Sequence, residues 1–250
     1  MPQLHLLGSN TVLGSDPAEE ALSRLYAHRP GRIRVNMVTS LDGAATGADA
    51  DSGSINNAAD LRVLRLLRAL ADVVLVGAAT ARRDSYARLA VTGPLAEARH
   101  QRGQGRLVLA VVTRTGRLSA DLLAAPDLIV ITTTDCPCLA DLTSRLGDNV
   151  IAVGSGDVEL PAAIEQLGKR GLTRVLCEGG PQLLGQLLRQ DLVDELCLTT
   201  VPLLVGGNAP RIVATDWLRP VRQMRLAHVL EASGTILGRW LLDRSDEAAD

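Results

Sequence analysis

The run Ala58-Ala-Asp-Leu-Arg-Val-Leu-Arg-Leu-Leu-Arg-Ala-Leu70, followed by Ala71 and then Asp72-Val-Val-Leu-Val-Gly77, decides the fold class. Leu61, Leu64, Leu67 and Leu70 recur every three residues with Arg62, Arg65 and Arg68 between them, which reads as an amphipathic helix over 58–70. Residues 72–77 are short and apolar and end in glycine, as a parallel strand buried on both faces requires. Upstream, Arg32-Ile-Arg-Val-Asn-Met-Val-Thr39 alternates apolar and polar side chains like a strand, so the three segments form one β-α-β unit. A Gly/Ala/Asp/Ser-rich loop joins the strand to the helix.

Working outward, strands are expected at 107–112, 128–132, 150–153 and 174–177, with helices at 161–170 and 182–189. Residues 195–201, 224–231 and 235–242 are strand-like with no helix between them, and Ser233-Gly234 reads as a hairpin turn. The expected fold is α/β, a mostly parallel central sheet with antiparallel C-terminal strands and helices on both faces. Residues 32–243 are read as one domain. Residues 1–31 are read as an N-terminal extension carrying a helix at 17–27, with Asp16 as N-cap and Pro17 at its first position. Residues 244–250 are a polar tail.

Composition excludes several classes. A net charge of −2 offers no global attraction to a polyanion. With no Phe, two Trp and two Tyr, platforms for stacking bases are scarce, so no nucleic-acid partner is expected. No run of about 18 apolar residues is present, so no membrane span is expected. The short, uncharged start Met1-Pro-Gln-Leu-His-Leu-Leu7 does not resemble a signal peptide, which suggests a cytoplasmic protein. Cys136, Cys138, Cys177 and Cys197, like the four scattered His, have no zinc-ligand spacing, so no metal is expected.

Glycines gather where strands hand over to helices: Gly77, Gly179-Gly180 and Gly206-Gly207. Ligands of open α/β sheets bind at carboxyl strand ends, where backbone approaches closely and helix N-termini offer free N–H groups. Gly179-Gly180-Pro181 is therefore either an anion cradle or a tight turn with Pro at the first helical position. No GxGxxG is present, so an ordinary dinucleotide-binding Rossmann domain is not supported. Glu178 either points into the same crevice or sits in solvent at a strand end. Asp42, in Ser40-Leu-Asp-Gly43, is either a reaction-centre carboxylate or an Asx-turn residue. Arg68 reads by default as a solvated helix residue. Thr113-Arg114 after a strand supplies a hydroxyl and a guanidinium fork, a pair suited to a phosphate monoester, or lies in an ordinary surface turn.

Four ordered segments change these odds: Val38-Thr-Ser-Leu-Asp-Gly43; Leu66 to Gly77 with Thr80 and Asp84 after it; Glu178-Gly-Gly-Pro-Gln-Leu-Leu184; and Leu192 to Gly207. Together, over about residues 32–242, they resemble the reductase domain of the riboflavin-biosynthesis deaminase/reductase family. The resemblance implies a dihydrofolate-reductase-like fold, NADPH as cofactor, a homodimer, and reduction of a phosphoribosylaminopyrimidine to its ribityl form. It implies cofactor contacts at Val38, Ser54, Gly77, Thr80, Asp84 and the turn Gly179, Gly180, Pro181, Gln182, Leu183 and Leu184, continuing to Gln186. It places Thr113 and Arg114 at the 2′-phosphate and turns Ser52, Arg68 and Glu178 toward the substrate; Glu178 and Asp42 are the catalytic candidates. The zinc-dependent deaminase signature is absent. Asp84 is followed by Ser-Tyr-Ala-Arg-Leu, where the family commonly has Pro and then a phosphate-binding Arg, and Arg88 is out of register. Reduction of dihydrofolate or a pterin, and NADPH binding without turnover, are the alternatives.

Overall fold

Strand β4 (Val73–Gly77) shows how the sheet is buried. Val74 and Val76 face one hydrophobic core and Val73 and Leu75 the other, all fully shielded, because successive side chains of a strand point to opposite faces. The computed structural model describes residues 1–84 and 86–242. Within them one sheet has the order β2-β1-β10-β11-β9-β3-β8-β4-β5-β6-β7. The remaining strands are β1 (Leu4–Leu6), β2 (Val12–Leu13), β3 (Ile33–Ser40), β5 (Val108–Val112), β6 (Leu128–Thr132), β7 (Val150–Ala152), β8 (Val175–Cys177), β9 (Glu195–Val201), β10 (Met224–Ala232) and β11 (Thr235–Leu242). From β9 to β7 all neighbours are parallel; from β9 through β11, β10 and β1 to β2 they are antiparallel.

Helices cover both faces, as expected. One core takes apolar side chains from α1 (Glu20–Leu25), α2 (Ala58–Leu70), α5 (Ala120–Leu123) and α6 (Leu139–Leu146); the other takes them from α7 (Leu160–Lys169) and α8 (Pro181–Arg189). The short α3 (Ala78–Arg83) and α4 (Pro94–Gln101), with α5 and α6, lie between the expected elements, and β1 and β2 lie within the expected N-terminal extension. Ser233 and Gly234 both have positive φ and close the expected hairpin.

Several expectations change. The leucine stripe of α2 is out of phase: a spacing of three drifts by about 60° per step on an α-helix. Leu61 is consequently exposed, while Ala59, Val63, Leu66, Leu67 and Leu70 face the sheet. Arg62, one of the arginines between the leucines, is 2% exposed. Its guanidinium grips both carboxylate oxygens of Glu19 at 2.7 Å and donates to the carbonyls of Pro2, Leu13 and Gly14. Residues 1–31 are thereby tied into the main sheet and core, through β1, β2, Leu22 and Tyr26, rather than extending from them.

The helix expected at 17–27 is only Glu20–Leu25, because Glu19 adopts a left-handed backbone, φ 51°, to reach Arg62. Asp16 still accepts from the amides of Ala18 and Glu20. Finally, Gly206-Gly207 opens no helix and lies in the long β9 to β10 connection. The expected tail 244–250, like Ser85 and residue 243, lies outside the described residues.

Candidate active site and cofactor cleft

Glu178 is the first residue after β8 and continues its alternation. Cys177 faces the α7/α8 core and Leu176 the α2 core, so Glu178 turns toward α2. There Arg68 meets it with a two-pronged guanidinium, Nε to Oε1 at 2.8 Å and Nη2 to Oε2 at 2.6 Å, and Tyr86 Oη donates to Oε2 at 2.6 Å. The Arg68 guanidinium also lies 5.5 Å from the Tyr86 ring centroid. Burial would lower the Arg68 pKa, but the Glu178 charge and hydrogen bonds outweigh it and raise it. Burial, followed by the Glu178 charge, raises the Tyr86 phenol well above its ordinary value.

This cluster borders a small cavity of about 80 Å³, lined among others by Asn36, Val38, Ser52, Asn56, Asp60, Asp84, Tyr86 and Glu178. A space that size takes one end of a ligand rather than a whole one. Ser52 donates to Asp84 at 3.4 Å. Burial and then the Asp51 charge raise the Asp84 pKa. The Asn56 side-chain oxygen is buried with no protein partner, leaving an acceptor on the cavity wall.

On the other side of the turn the chain enters α8. Gly179 has φ 87°, and its carbonyl accepts from Gly77 N at 2.9 Å, which fastens the turn to the end of β4. The Gly179-Gly180 peptide is cis. A Cβ on Gly180 would lie 2.7 Å from Thr80 Oγ1, so only glycine lets that hydroxyl approach the turn. Pro181 has no N–H, and no side chain caps α8, which leaves the amides of Gln182 and Leu183 pointing outward. They open onto a cleft of about 850 Å³, within the range of sites for large ligands. Thr80, Arg82 and Arg83 of α3, Thr113 and Arg114 after β5, and Gln186 and Arg189 of α8 line it. Arg114 is mostly exposed and lies 3.2 Å from Asp157.

Of the expected cofactor residues, Gly77, Thr80, Thr113, Arg114, Gly180, Pro181, Gln182 and Leu183 line this cleft. Val38 and Asp84 line the small cavity instead. Gly179 packs toward Met37, Leu184 is buried in the α8 core, and Ser54 is exposed, bonded to Asp49 and Asp51. Of the substrate-facing set, Ser52 and Glu178 line the small cavity and Arg68 supports it. Asp42 is displaced from both spaces. Its carboxylate accepts from Ser40 Oγ at 2.5 Å and from the amides of Val205 and Gly206, and these bonds, led by Ser40, hold its pKa down at about 2. It is a tie between two loops and forms no Asx-turn: the Ala44 amide donates to Ser40 Oγ instead. Arg88 is exposed and lines neither space.

Neither Tyr86 nor Asp60 stands in a motif along the chain. Tyr86 reaches Glu178 from the segment after α3, and α2 carries Asp60 to the same cavity.

The family model described as the RibD C-terminal domain matches residues 32–237. A 2,5-diamino-6-ribosylamino-4(3H)-pyrimidinone 5′-phosphate reductase from Aquifex aeolicus is 28% identical over 223 residues, covering 86% of this chain and 95% of that protein. The protein of the same name from Methanothermobacter thermautotrophicus is 31% identical over 183 residues, covering 72% of this chain and 81% of its own length. A pyrimidine reductase-like protein from Corynebacterium diphtheriae shares the fold, with a TM-score of 0.77 at 24% identity over 89% of this chain and 95% of that one. The matched span runs from β3 into β11 and contains α2, the β8 turn, α8 and both cavities' principal walls, and the chain belongs to the RibD C-terminal domain family.

Proposed function

We propose that this protein is an NADPH-dependent reductase of a phosphoribosylaminopyrimidine in riboflavin biosynthesis, converting the ribosylamine to the ribityl product. The observation that carries the reading is the meeting of two spaces at one strand end. Glu178 faces a small polar cavity, and two residues later Gly180 faces a large cleft at the start of a helix. NADPH, when bound, supplies the hydride. The amides of Gln182 and Leu183 and the Thr80 hydroxyl suit its diphosphate, since a helix N-terminus favours an anion. Thr113 and Arg114, with Arg82, Arg83 and Arg189 on the rim, suit the 2′-phosphate that distinguishes NADPH from NADH.

On the substrate side, a carboxylate offers about four acceptor sites and Glu178 has used three, which leaves one for a sugar hydroxyl. Arg68 and Tyr86 hold that carboxylate fixed, so the sugar carbon can be positioned against the nicotinamide. Ser52, Asp84 and Asn56 offer polar contacts to the rest of the substrate. The homodimer belongs to the same reading. Leu203, Leu204, Trp217, Val221 and Leu226 present apolar surface along and beyond the β9 to β10 connection, suited to a second copy. No helix of the described residues is long and apolar enough to cross a membrane. A cytoplasmic site of action is part of the proposal, because phosphorylated substrate and cofactor do not pass through hydrocarbon unaided.

The test is consumption of NADPH and of NADH with 2,5-diamino-6-ribosylamino-4(3H)-pyrimidinone 5′-phosphate, with dihydrofolate, and with no second substrate. Turnover with the pyrimidine and NADPH supports the proposal. Turnover with dihydrofolate alone would replace it with a folate reductase, and NADPH binding without consumption would make the protein a cofactor-binding module.

A further inference from the structure

The reduction consumes a proton as well as a hydride, and Glu178 is a poor source for one: both of its oxygens already receive hydrogen bonds, from Arg68 and Tyr86. A second carboxylate shares its cavity. Asp60 lies in the first turn of α2, is 3% exposed, and lines the same space. The Asn57 side chain caps this turn, accepting from Ala59 N and Asp60 N, and donates to Thr235 on β11 at 2.7 Å, so the helix start is pinned to the sheet. The Thr199 hydroxyl of β9 and the charge of Arg68 on its own helix favour the ionised Asp60 carboxyl, but that guanidinium is committed to Glu178. The other ionisable groups facing it are Glu178 after β8, Tyr26 after α1, and Asp84 and Tyr86 across the cavity. None of these is a cation that would hold Asp60 in its charged form.

We infer that Asp60 is the proton donor of the reaction and that Glu178 is the acceptor that orients the sugar. This rests on the reductase reading above. Asp60 gives its proton to the ribose ring oxygen as the C1′–O4′ bond breaks and that bond's electron pair passes to oxygen. The lone pair of the glycosidic nitrogen forms the C=N bond of an iminium. Bound NADPH would supply the hydride that C1′ accepts as the C=N electrons return to nitrogen, a two-electron reduction of the sugar carbon balanced by two-electron oxidation of the nicotinamide. Solvent returns a proton to the Asp60 carboxylate. The state of the free protein agrees with this division of labour. Burial, joined by the Glu178 charge and opposed by the Thr199 hydroxyl, lifts the Asp60 carboxyl to about 6, so an acid form is available near neutral pH.

The experiment pairs a carboxyl infrared titration of the protein alone with turnover of the pyrimidine substrate from pH 5 to 9, for the native chain, Asp60→Asn and Glu178→Gln. The expected native spectrum has a protonated-carboxyl band lost with a midpoint near 6, absent from Asp60→Asn and retained in Glu178→Gln. In turnover, Asp60→Asn is expected to lower kcat about a hundredfold with little change in KM and to erase the fall in rate on the alkaline side of that midpoint. Glu178→Gln is expected to raise KM and to keep the alkaline fall in rate but at lower pH, because the Glu178 charge helps raise the Asp60 carboxyl. Native kcat and pH profile in Asp60→Asn, or a band that titrates with ordinary exposed carboxylates, would overturn the inference. A native protein that leaves the pyrimidine untouched refutes the substrate reading instead, while the titration still decides whether Asp60 holds a proton. Should Asp60→Asn not fold, the titration of the native protein and the pH profile of Asp60→Glu decide.

Discussion

Replacing Arg68 with Met isolates the energetics of the site, because it keeps the length of the stem and removes the guanidinium. Glu178, whose side chain is 4% exposed, then loses two of its three donors and keeps Tyr86. Breaking a fully buried pair costs about 3–5 kcal/mol. Arg68 itself is a quarter exposed and the Tyr86 bond survives, so the cost at pH 8 should be nearer about 2–3 kcal/mol. Denaturant unfolding at pH 8 measures the loss. Adding Glu178→Gln to Arg68→Met should recover most of it, since no buried charge remains to be compensated. A penalty that is not relieved in the double variant would refute the view that a desolvated Glu178 charge dominates this site.

The Asp60 carboxyl couples stability to pH. Its pKa is raised from 3.8 to about 6, so its contribution is fully present below pH 4 and is lost as pH rises through 6. Asp60→Asn should therefore be more stable than the native protein by about 2–3 kcal/mol at pH 8, with the gap closing toward pH 4, as read from denaturation midpoints. Arg114→Ala removes a mostly exposed cation from the cleft rim and should raise KM for NADPH about tenfold, leaving NADH kinetics unchanged. Equal effects on both cofactors would show that Arg114 does not read the 2′-phosphate. Arg62→Ala strands Glu19, 2% exposed, and should cost about 4 kcal/mol while releasing residues 1–14 to limited proteolysis. In Gly185→Ala a Cβ would lie 2.7 Å from the Ala214 carbonyl oxygen, so the loop forming one wall of the cleft must move; a cost of about 1–3 kcal/mol and weaker NADPH binding by calorimetry are expected.

Much of the fold was legible along the chain. Strands β4, β6, β9 and β11 and helix α2 stand where periodicity and apolar runs placed them, because a strand buried on both faces and a helix laid on a sheet leave a hydrophobic signature in consecutive residues. The Gly179-Gly180-Pro181 turn was equally readable, since its residue types answer a local demand for positive φ and a helix start. The phase of α2 was less so: leucines every third residue suggest one face, yet the face that packs is chosen by the sheet beneath and by the Glu19 partner of Arg62.

What the sequence by itself determined is therefore the alternation of elements, the glycine turn at the end of β8 and, through its ordered motifs, the family. Which carboxylates line the small cavity was decided only by tertiary structure. Asp42 sits in the more suggestive motif but spends its charge on the amides of Val205 and Gly206, while Asp60, in no motif, is carried by α2 to the wall that Glu178 faces. The physical reason is range. Turns and periodicity are fixed by neighbours within a few residues, whereas the protonation and hydrogen bonding of a carboxyl depend on burial and on partners here 110 residues apart for Glu178 and Arg68.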